Sequence, residues 1–259
     1  MAKHHTTAAN PVTYLHTVLA IAVAVLLAMR VPYAAGSDAL DYIAPRAVNL
    51  GILFSIVVGF LMYKSLTRRS DIDNSISREL NKVRRMYHLA RHIAKAQPAA
   101  DTWYAAVRGG IREYLGLFRT LTLHEYDLGN PLFRSVTYAV YSLPSQAAGY
   151  DPQLYQSLLD ATGEATEARE FIRAKKDDQI SWFSWIVVVL VSLVFSVLII
   201  AATPQVMLLR WVGASVILCL FLVLQLIYEH DRTNSRRDRN WAVQYVENLT
   251  SLDRAERMR

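Results

Sequence analysis

Four runs of apolar residues, separated by polar segments, stand out along the chain. They cover residues 14–29, 48–62, 182–202 and 206–228. A helix that crosses a lipid bilayer needs about 20 mostly apolar residues. The third and fourth runs have that length, and the first two reach it once their small and aromatic flanking residues are included. The pattern therefore predicts four transmembrane helices.

The first run also has features of a secretory signal peptide. Lys3 gives it a weakly basic start, and the small residues Ala34, Ala35 and Gly36 follow it. We interpret the run as a retained helix, because the segment is part of the chain, and cleavage is the alternative.

Basic residues near the ends of the predicted helices set their orientation. They cluster after the second run, before the third and after the fourth, whereas segment 31–46 is poor in them and segment 203–205 has none. Because lysine and arginine stay on the cytoplasmic side, both termini and the long middle segment are predicted to be cytoplasmic, with the protein in the plasma (inner) membrane. In the fourth run, Arg210 lies close enough to the outer end to reach the membrane surface.

The predicted fold is an all-α integral membrane protein with four transmembrane helices and a helical cytoplasmic domain between the second and third. The domain boundaries that follow from this are an N-terminus at 1–12, a membrane hairpin at 13–64, the helical domain at 65–180, a second membrane hairpin at 181–228 and a basic tail at 229–259.

Helical spacing of apolar residues recurs through the middle segment. It predicts a helix over 75–96, with Asp73 or Ser75 as its N-cap and Pro98 beyond its end. Further helices are predicted over 101–122, 131–141 and 152–176, with a turn at 127–131 and a loop at 144–152. Asp151 before Pro152 is typical of a capped helix start. The last of these helices is expected to continue into the third membrane helix.

Composition supports a membrane protein. Of 259 residues, 53% are hydrophobic and 19% charged, against about 25% charged residues in a soluble domain. A plain soluble enzyme, a disordered chain and a disulfide scaffold are excluded, the last because Cys219 is the single cysteine. The net charge of +6 follows from membrane topology, so we predict no nucleic-acid partner.

The sequence contains no motif for catalysis or for nucleotide binding. His88 and His92 have the spacing of two metal ligands on one helix face, but Arg84, Arg85 and Arg91 beside them disfavour a cation. We therefore predict no enzyme activity, no cofactor and no metal.

Two rows of residues on the second predicted helix suggest a pore. Small residues every four positions allow close helix packing, and they are Gly51, Ser55 and Gly59. A neighbouring row, in which larger side chains repeat, consists of Asn49, Ile52, Ile56, Phe60 and Tyr63. A ring of such apolar side chains can close a pore by excluding water. Both rows could instead face lipid or other helices.

The order of these features resembles the bestrophin-like family of bacterial membrane proteins, which is distantly similar to bestrophin anion channels. The similarity covers roughly 45–231. It rests on Ile76-Ser77-Arg78-Glu79-Leu80 and Met86-Tyr87-His88-Leu89-Ala90-Arg91, followed by Ile111-Arg112-Glu113-Tyr114, Glu167-Ala168-Arg169 and Asp231 after the fourth helix. The family often has Asp-Arg-Pro-Phe there, whereas this chain has Asp231-Arg232-Thr233-Asn234. The acidic calcium-binding cluster of animal bestrophins is absent too.

The resemblance implies a homo-oligomer, pentameric in bestrophins, around one pore. It makes Ile52, Ile56 and Phe60 the candidates for a hydrophobic neck. Basic residues could then draw anions to an inner vestibule, namely Arg68, Arg69, Arg84 and Arg85. The same residues are equally explained by membrane topology.

Two functions follow from these patterns. The first is an oligomeric ion channel, anion-selective, embedded in membrane lipids. The alternative is a non-conducting membrane subunit that binds a partner protein through its cytoplasmic helices and its tail. The tail can form an amphipathic helix whose candidate contacts are Trp241, Val243, Tyr245, Val246 and Leu249.

Overall fold

A computed structural model describes residues 11–33, 37–144, 151–232 and 239–257 of the chain. Within these ranges the chain forms α-helices and two 3-10 helices, Pro98–Ala100 and Leu123–Gly129, and contains no strand. The α-helices are α1 (Pro11–Arg30), α2 (Ser37–Ala96), α3 (Asp101–Leu117), α4 (Asn130–Tyr141), α5 (Pro152–Asp177), α6 (Trp182–Ala202), α7 (Met207–Asp231) and α8 (Arg239–Arg257). The all-helical prediction is confirmed for the described residues.

The chain divides into two compact units, and each combines segments that are distant in sequence. The first unit comprises residues up to Leu66 together with Ile180–Asp231. The second comprises Thr67–Gln179 together with the C-terminal segment from Arg232 onward.

The first unit contains α1, the beginning of α2, α6 and α7. Its largest buried cluster joins Phe54, Val58 and Leu61 of α2 to Val188 of α6 and Leu224 of α7. In the described part of the chain, α2, α6 and α7 are long and apolar enough to cross a membrane. The described apolar part of α1, Val18–Arg30, is shorter, so a fourth membrane span stays a prediction.

Arg210 of α7 contacts the end of α1. Its Nη1 donates a hydrogen bond to the carbonyl of Ala28 at 2.6 Å, and its Nη2 donates to that of Val31 at 3.0 Å. The last carbonyls of a helix have no partner within the helix, so this guanidinium satisfies one of them, that of Ala28, and the carbonyl of Val31 directly after the helix. The guanidinium of Arg210 thus joins α7 to α1 within the chain, and its reaching the membrane surface stays a prediction.

Helix α2 is one uninterrupted helix of 60 residues. The predicted helix start at Asp73 or Ser75 is therefore wrong, although the predicted end before Pro98 is confirmed. The hydroxyl of Ser75 donates to the carbonyl of Asp71 at 2.8 Å, as serines inside helices do. No glycine or proline lies between Phe60 and Ala96 to end the helix earlier.

The expected continuity of α5 and α6 is also wrong, because residues 178–181 are not helical. Arg68 of α2 donates to the carbonyl of Lys175 at 2.7 Å and to that of Lys176 at 2.5 Å, which satisfies the end of α5. The hydroxyl of Ser181 accepts a hydrogen bond from the backbone N–H of Ser184 at 3.2 Å, which caps the start of α6.

Other helix boundaries differ less. Asp151 accepts a hydrogen bond from the backbone N–H of Gln153 at 2.9 Å, which confirms the predicted cap of α5. Helix α3 ends at Leu117, five residues before the predicted end at Thr122. The predicted turn at 127–131 is instead the end of the 3-10 helix Leu123–Gly129 and the start of α4.

The second unit has one hydrophobic core that includes the C-terminal helix. Trp241, Tyr245 and Leu249 of α8 are buried in it, whereas Val243 is exposed. The tail forms the predicted amphipathic helix, but three of its proposed partner contacts are occupied by the chain's own core. The tail as a docking site for another protein is therefore a wrong interpretation for these three residues.

Candidate functional site

The row of larger side chains on α2, which we call the larger row, consists of Asn49, Ile52, Ile56, Phe60 and Tyr63. It is exposed along its whole length. The side chains of Ile52, Ile56, Phe60 and Tyr63 are 57–69% accessible in the single chain, and Asn49 is exposed as well. Positions three and four apart lie on one helix face, so the five residues form a continuous surface. An exposed apolar surface of this kind meets lipid, another subunit or a pore.

The row of small residues on α2, which we call the smaller row, consists of Gly51, Ser55 and Gly59. Its three positions have different surroundings. A methyl group added at Gly51 would lie 2.9 Å from Cζ of Phe195, so α6 approaches α2 closely there. Ser55 donates to the carbonyl of Gly51 at 2.8 Å. Nothing in the described chain lies within 4 Å of a methyl placed on Gly59. Within one chain, close packing on this row is confined to Gly51.

The four arginines predicted to attract anions lie in different environments. Arg68 is 4% exposed and occupied with the end of α5, so its place in an exposed vestibule is a wrong interpretation. The guanidinium of Arg69 lies 5.9 Å from the ring centroid of Trp241. Arg84 and Arg85 are exposed, and they remain able to act on ions in solution.

A buried carboxylate in the second unit connects five of its elements. Glu79 of α2 is 0% exposed. Its Oε2 accepts hydrogen bonds from the hydroxyl of Tyr126 at 2.6 Å and from that of Tyr245 at 2.7 Å. Its Oε1 accepts from the hydroxyl of Tyr114, and Nη1 of Arg169 lies 3.4 Å away. We refer to these five residues as the Glu79 centre.

The guanidinium of Arg169 completes the Glu79 centre. It donates to the hydroxyl of Tyr114 and, through Nη2, to Oδ1 of Asn130 at 2.6 Å. It also lies 4.6–4.9 Å from the ring centroids of Tyr114, Tyr126 and Phe133. The buried negative charge is thus balanced by one buried positive charge, whose burial is supported by aromatic rings.

Comparison with known protein families decides what kind of chain this is. The model of the bestrophin-like domain matches residues 16–233. The chain belongs to the bestrophin-like family. The family resemblance read from the sequence is thereby confirmed, and with the membrane-length helices it makes this a membrane protein. Among curated proteins, no sequence matches this bestrophin-like chain.

Solved structures share the fold of this bestrophin-like protein. A bacterial bestrophin homologue from Klebsiella pneumoniae is 15% identical, with a TM-score of 0.60 over 93% of this chain and 96% of that one. A variant of that homologue gives a TM-score of 0.62 at 15% identity, over 94% and 97% of the two chains. A structure described as a membrane protein gives 0.64 at 13% identity, over 93% and 98%. At such identities the similarity concerns the fold.

The Glu79 centre of the bestrophin-like chain is arranged to hold a charge and to keep protons on three tyrosines. Burial raises the pKa of Tyr114, Tyr126 and Tyr245 well above the usual tyrosine range, and the negative charge of Glu79 raises it further. For Arg169, burial alone would lower the pKa, but the surrounding tyrosines and Glu79 raise it instead. The centre therefore keeps three tyrosines as neutral phenols and Arg169 as a charged guanidinium.

Sequence reasoning did not identify the Glu79 centre. Glu79, Tyr114 and Arg169 were quoted only as parts of similar motifs. The hydrogen bonds that join the centre span 35 to 166 positions of the chain, so no local spacing reveals them. One signal was available in the sequence: Glu79 lies among the apolar positions of an amphipathic helix. An acidic side chain that is buried there needs hydrogen-bond partners or a counter-charge.

The raised tyrosine pKa values predict loss of stability at alkaline pH. A pKa raised in the folded state contributes stability that is present below the unfolded value, about 10 for tyrosine, and is lost as the pH rises above it. Each buried tyrosine then lowers the unfolding free energy by up to about 1.4 kcal/mol per pH unit. Denaturant unfolding of the protein in detergent at a series of pH values above neutrality measures this slope.

Tyrosine variants give the matched control for this pH dependence. Tyr245→Phe removes one ionisable group and should make the alkaline slope shallower by about 1.4 kcal/mol per pH unit. Tyr141→Phe changes an exposed tyrosine of α4 and should leave the slope as it is. Equal slopes in all three proteins would show that the buried tyrosines are not responsible.

Metal binding has no support in the described part of the chain. No group of three or more histidine, cysteine or acidic side chains lies there in an arrangement that could hold an ion. His88 and His92 are both exposed on α2.

Proposed function

We propose that the protein is an oligomeric ion channel whose pore is lined by the larger row of α2. The observation that carries this proposal is the exposure of Ile52, Ile56 and Phe60 on a helix long enough to cross a membrane. In an oligomer with rotational symmetry, copies of one exposed helix face can surround a common axis. Membership of the bestrophin-like family supports a channel and, by analogy, five subunits.

The three apolar side chains would form the neck of this pore. Rings of isoleucine and phenylalanine offer no hydrogen bonds to a hydrated ion, so a narrow neck empties of water and blocks conduction. Asn49 and Tyr63 mark the two ends of the row and carry polar groups. An opening movement then needs only to widen the apolar section until water fills it.

Charges on α2 favour anions as the conducted ions. The helix carries three acidic side chains between residues 71 and 96, and all three have partners. Asp71 pairs with Lys175 at 3.4 Å, Asp73 accepts from Trp241, and Glu79 is buried. Six lysines and arginines lie in the same segment, and the exposed ones would concentrate anions near the pore.

The proposal includes the topology predicted from the sequence. The hairpins at 13–64 and 181–228 would lie in the inner membrane among its lipids, and residues 65–180 and 229–259 would face the cytoplasm with both termini. Burial of α8 in the core of the second unit supports a cytoplasmic tail. The tail and residues 67–179 belong to the same compact unit, so both are expected on the same side of the membrane.

Currents from the purified protein in lipid bilayers test the pore. The wild-type protein should conduct, and Phe60→Ala and Ile56→Ala should each raise the current about tenfold. A barrier lowered by about 1.4 kcal/mol gives that factor, and smaller side chains make the neck easier to wet. Leu190→Ala is the matched control, because Leu190 is exposed on the membrane-length helix α6 and does not belong to the row on α2.

Three results would contradict parts of the proposal. Absence of current in the wild type and in both neck variants would exclude the channel, and equal currents in neck and control variants would exclude this neck. The same recordings under a chloride gradient give the ion: the reversal potential should follow chloride, and one that follows the cation would exclude anion selectivity.

A further inference from the structure

A small cavity in the second unit is lined mainly by basic and hydroxyl-bearing side chains. It has a volume of about 160 Å³ and lies between α4 and α5. Its lining includes Arg134 and Tyr138 of α4, and Arg169, Glu170 and Arg173 of α5. A water molecule takes about 30 Å³ of liquid, so the cavity has room for one small polyatomic ion with a few waters.

Two of the three arginines already have acidic partners. Arg169 lies against Glu79 in the Glu79 centre. Nε of Arg173 donates to Asp127 at 2.8 Å, and its Nη1 donates to Glu170 at 2.9 Å. These contacts hold both side chains in place, so the positions of their guanidinium groups in the cavity lining are fixed.

Arg134 differs from the other two arginines. In the part of the chain that the structure describes, it makes no ion pair or hydrogen bond, and it is an exposed residue of the cavity lining. Nη2 of Arg173 likewise donates to no described residue. These groups and the hydroxyl of exposed Tyr138 are hydrogen-bond donors on side chains that line one small space.

The formal charges around the cavity do not balance. The lining carries three guanidinium groups and one carboxylate, that of Glu170, which gives +2. Glu79 contacts Arg169 and Asp127 contacts Arg173, and Lys176 shares Asp127 with Arg173; including these three brings four positive and three negative charges together, or +1. The excess is the charge of Arg134.

We propose that this cavity binds one small inorganic anion, a tetrahedral oxyanion such as sulfate or phosphate, or a halide. The anion would neutralise Arg134 and accept hydrogen bonds from Arg134, Arg173 and Tyr138, which are the donors that suit oxyanions. Because Arg169 belongs both to this cavity and to the Glu79 centre, bound anion would also stabilise the second unit.

Thermal unfolding of the full-length protein in detergent tests the site without any need for conduction, so its outcome is independent of the channel proposal. Sodium sulfate, phosphate and chloride are titrated separately, with sodium gluconate holding the ionic strength constant. We expect a saturable rise in the unfolding midpoint with at least one of the three anions. A crystal soaked in bromide should show an anomalous peak in the cavity if halides bind.

Variants locate the effect. Arg134→Gln should weaken binding at least about tenfold, and Arg134→Lys, which keeps the charge, should weaken it less. Arg119→Gln is the matched control, because Arg119 is an exposed arginine that lines a different groove. Absence of a saturable effect in the wild type, or unchanged binding in Arg134→Gln, would overturn the proposal.

Discussion

Glu79→Ala is expected to lower the free energy of unfolding by about 3–5 kcal/mol. The substitution leaves the guanidinium of Arg169 buried without its carboxylate, and three tyrosine hydroxyls lose their acceptor. Unmatched buried charges and donors cost more than the removed contacts were worth. Denaturant unfolding of the wild type and the variant in the same detergent measures the difference.

Glu167→Ala is the matched control for this experiment. Glu167 is 75% exposed, and its contact with Arg78 is 4.0 Å long, so its loss should cost less than about 0.5 kcal/mol. The double variant Glu79→Met with Arg169→Met should recover part of the lost stability, because no unpaired charge remains. A loss below about 1 kcal/mol in Glu79→Ala would show that the centre contributes little.

Trp241→Ala is expected to detach α8 from the core of the second unit, at a cost of about 3–5 kcal/mol. The indole is buried, and its Nε1 donates to Asp73 of α2. Limited proteolysis should therefore cut the variant within residues 239–257 much faster than the wild type, since a detached helix is an accessible substrate.

Val243→Ala on the same helix provides the comparison. Val243 is 49% exposed, so its truncation creates no cavity in the core and should leave the cleavage rate near that of the wild type. Equal rates for the two variants would mean that Trp241 does not hold α8 in place.

The sequence was sufficient to predict helices wherever the information was local. Helix α6 begins and ends where its apolar run does, at Trp182 and Ala202. The start of α5 follows from Asp151 and Pro152, which act on residues next to them. The apolar spacing of the tail predicted a helix, although Val243, one of its candidate contacts, is exposed.

Prediction of helix boundaries failed where the contacts that decide them come from residues distant in sequence. The break between α5 and α6 depends on Arg68, which is 107 positions from the first carbonyl it contacts. Asp73 was a plausible helix cap, but its carboxylate accepts a hydrogen bond from Trp241, 168 positions away. In both cases a side chain that could act locally has a partner that sequence spacing does not reveal.

The candidate site, like the fold, could be predicted only in its local features. The rows on α2 could be read directly, because helical geometry fixes which positions share a face. Helical geometry does not determine what packs against that face. The alternative function gave the contact face of the tail to another protein, whereas Tyr245 and Leu249 are buried in the chain's own core.

The composition of the second unit has a consequence for biosynthesis. Its core requires residues on both sides of α6 and α7, because 67–179 and the segment from Arg232 belong to the same unit. A ribosome releases Glu79 and Arg169 long before Tyr245, the last donor to Glu79. Until the final segment emerges, the new chain carries an open core and a carboxylate that lacks one of its hydrogen-bond donors, and its assembly can finish only after the α6–α7 hairpin has been made.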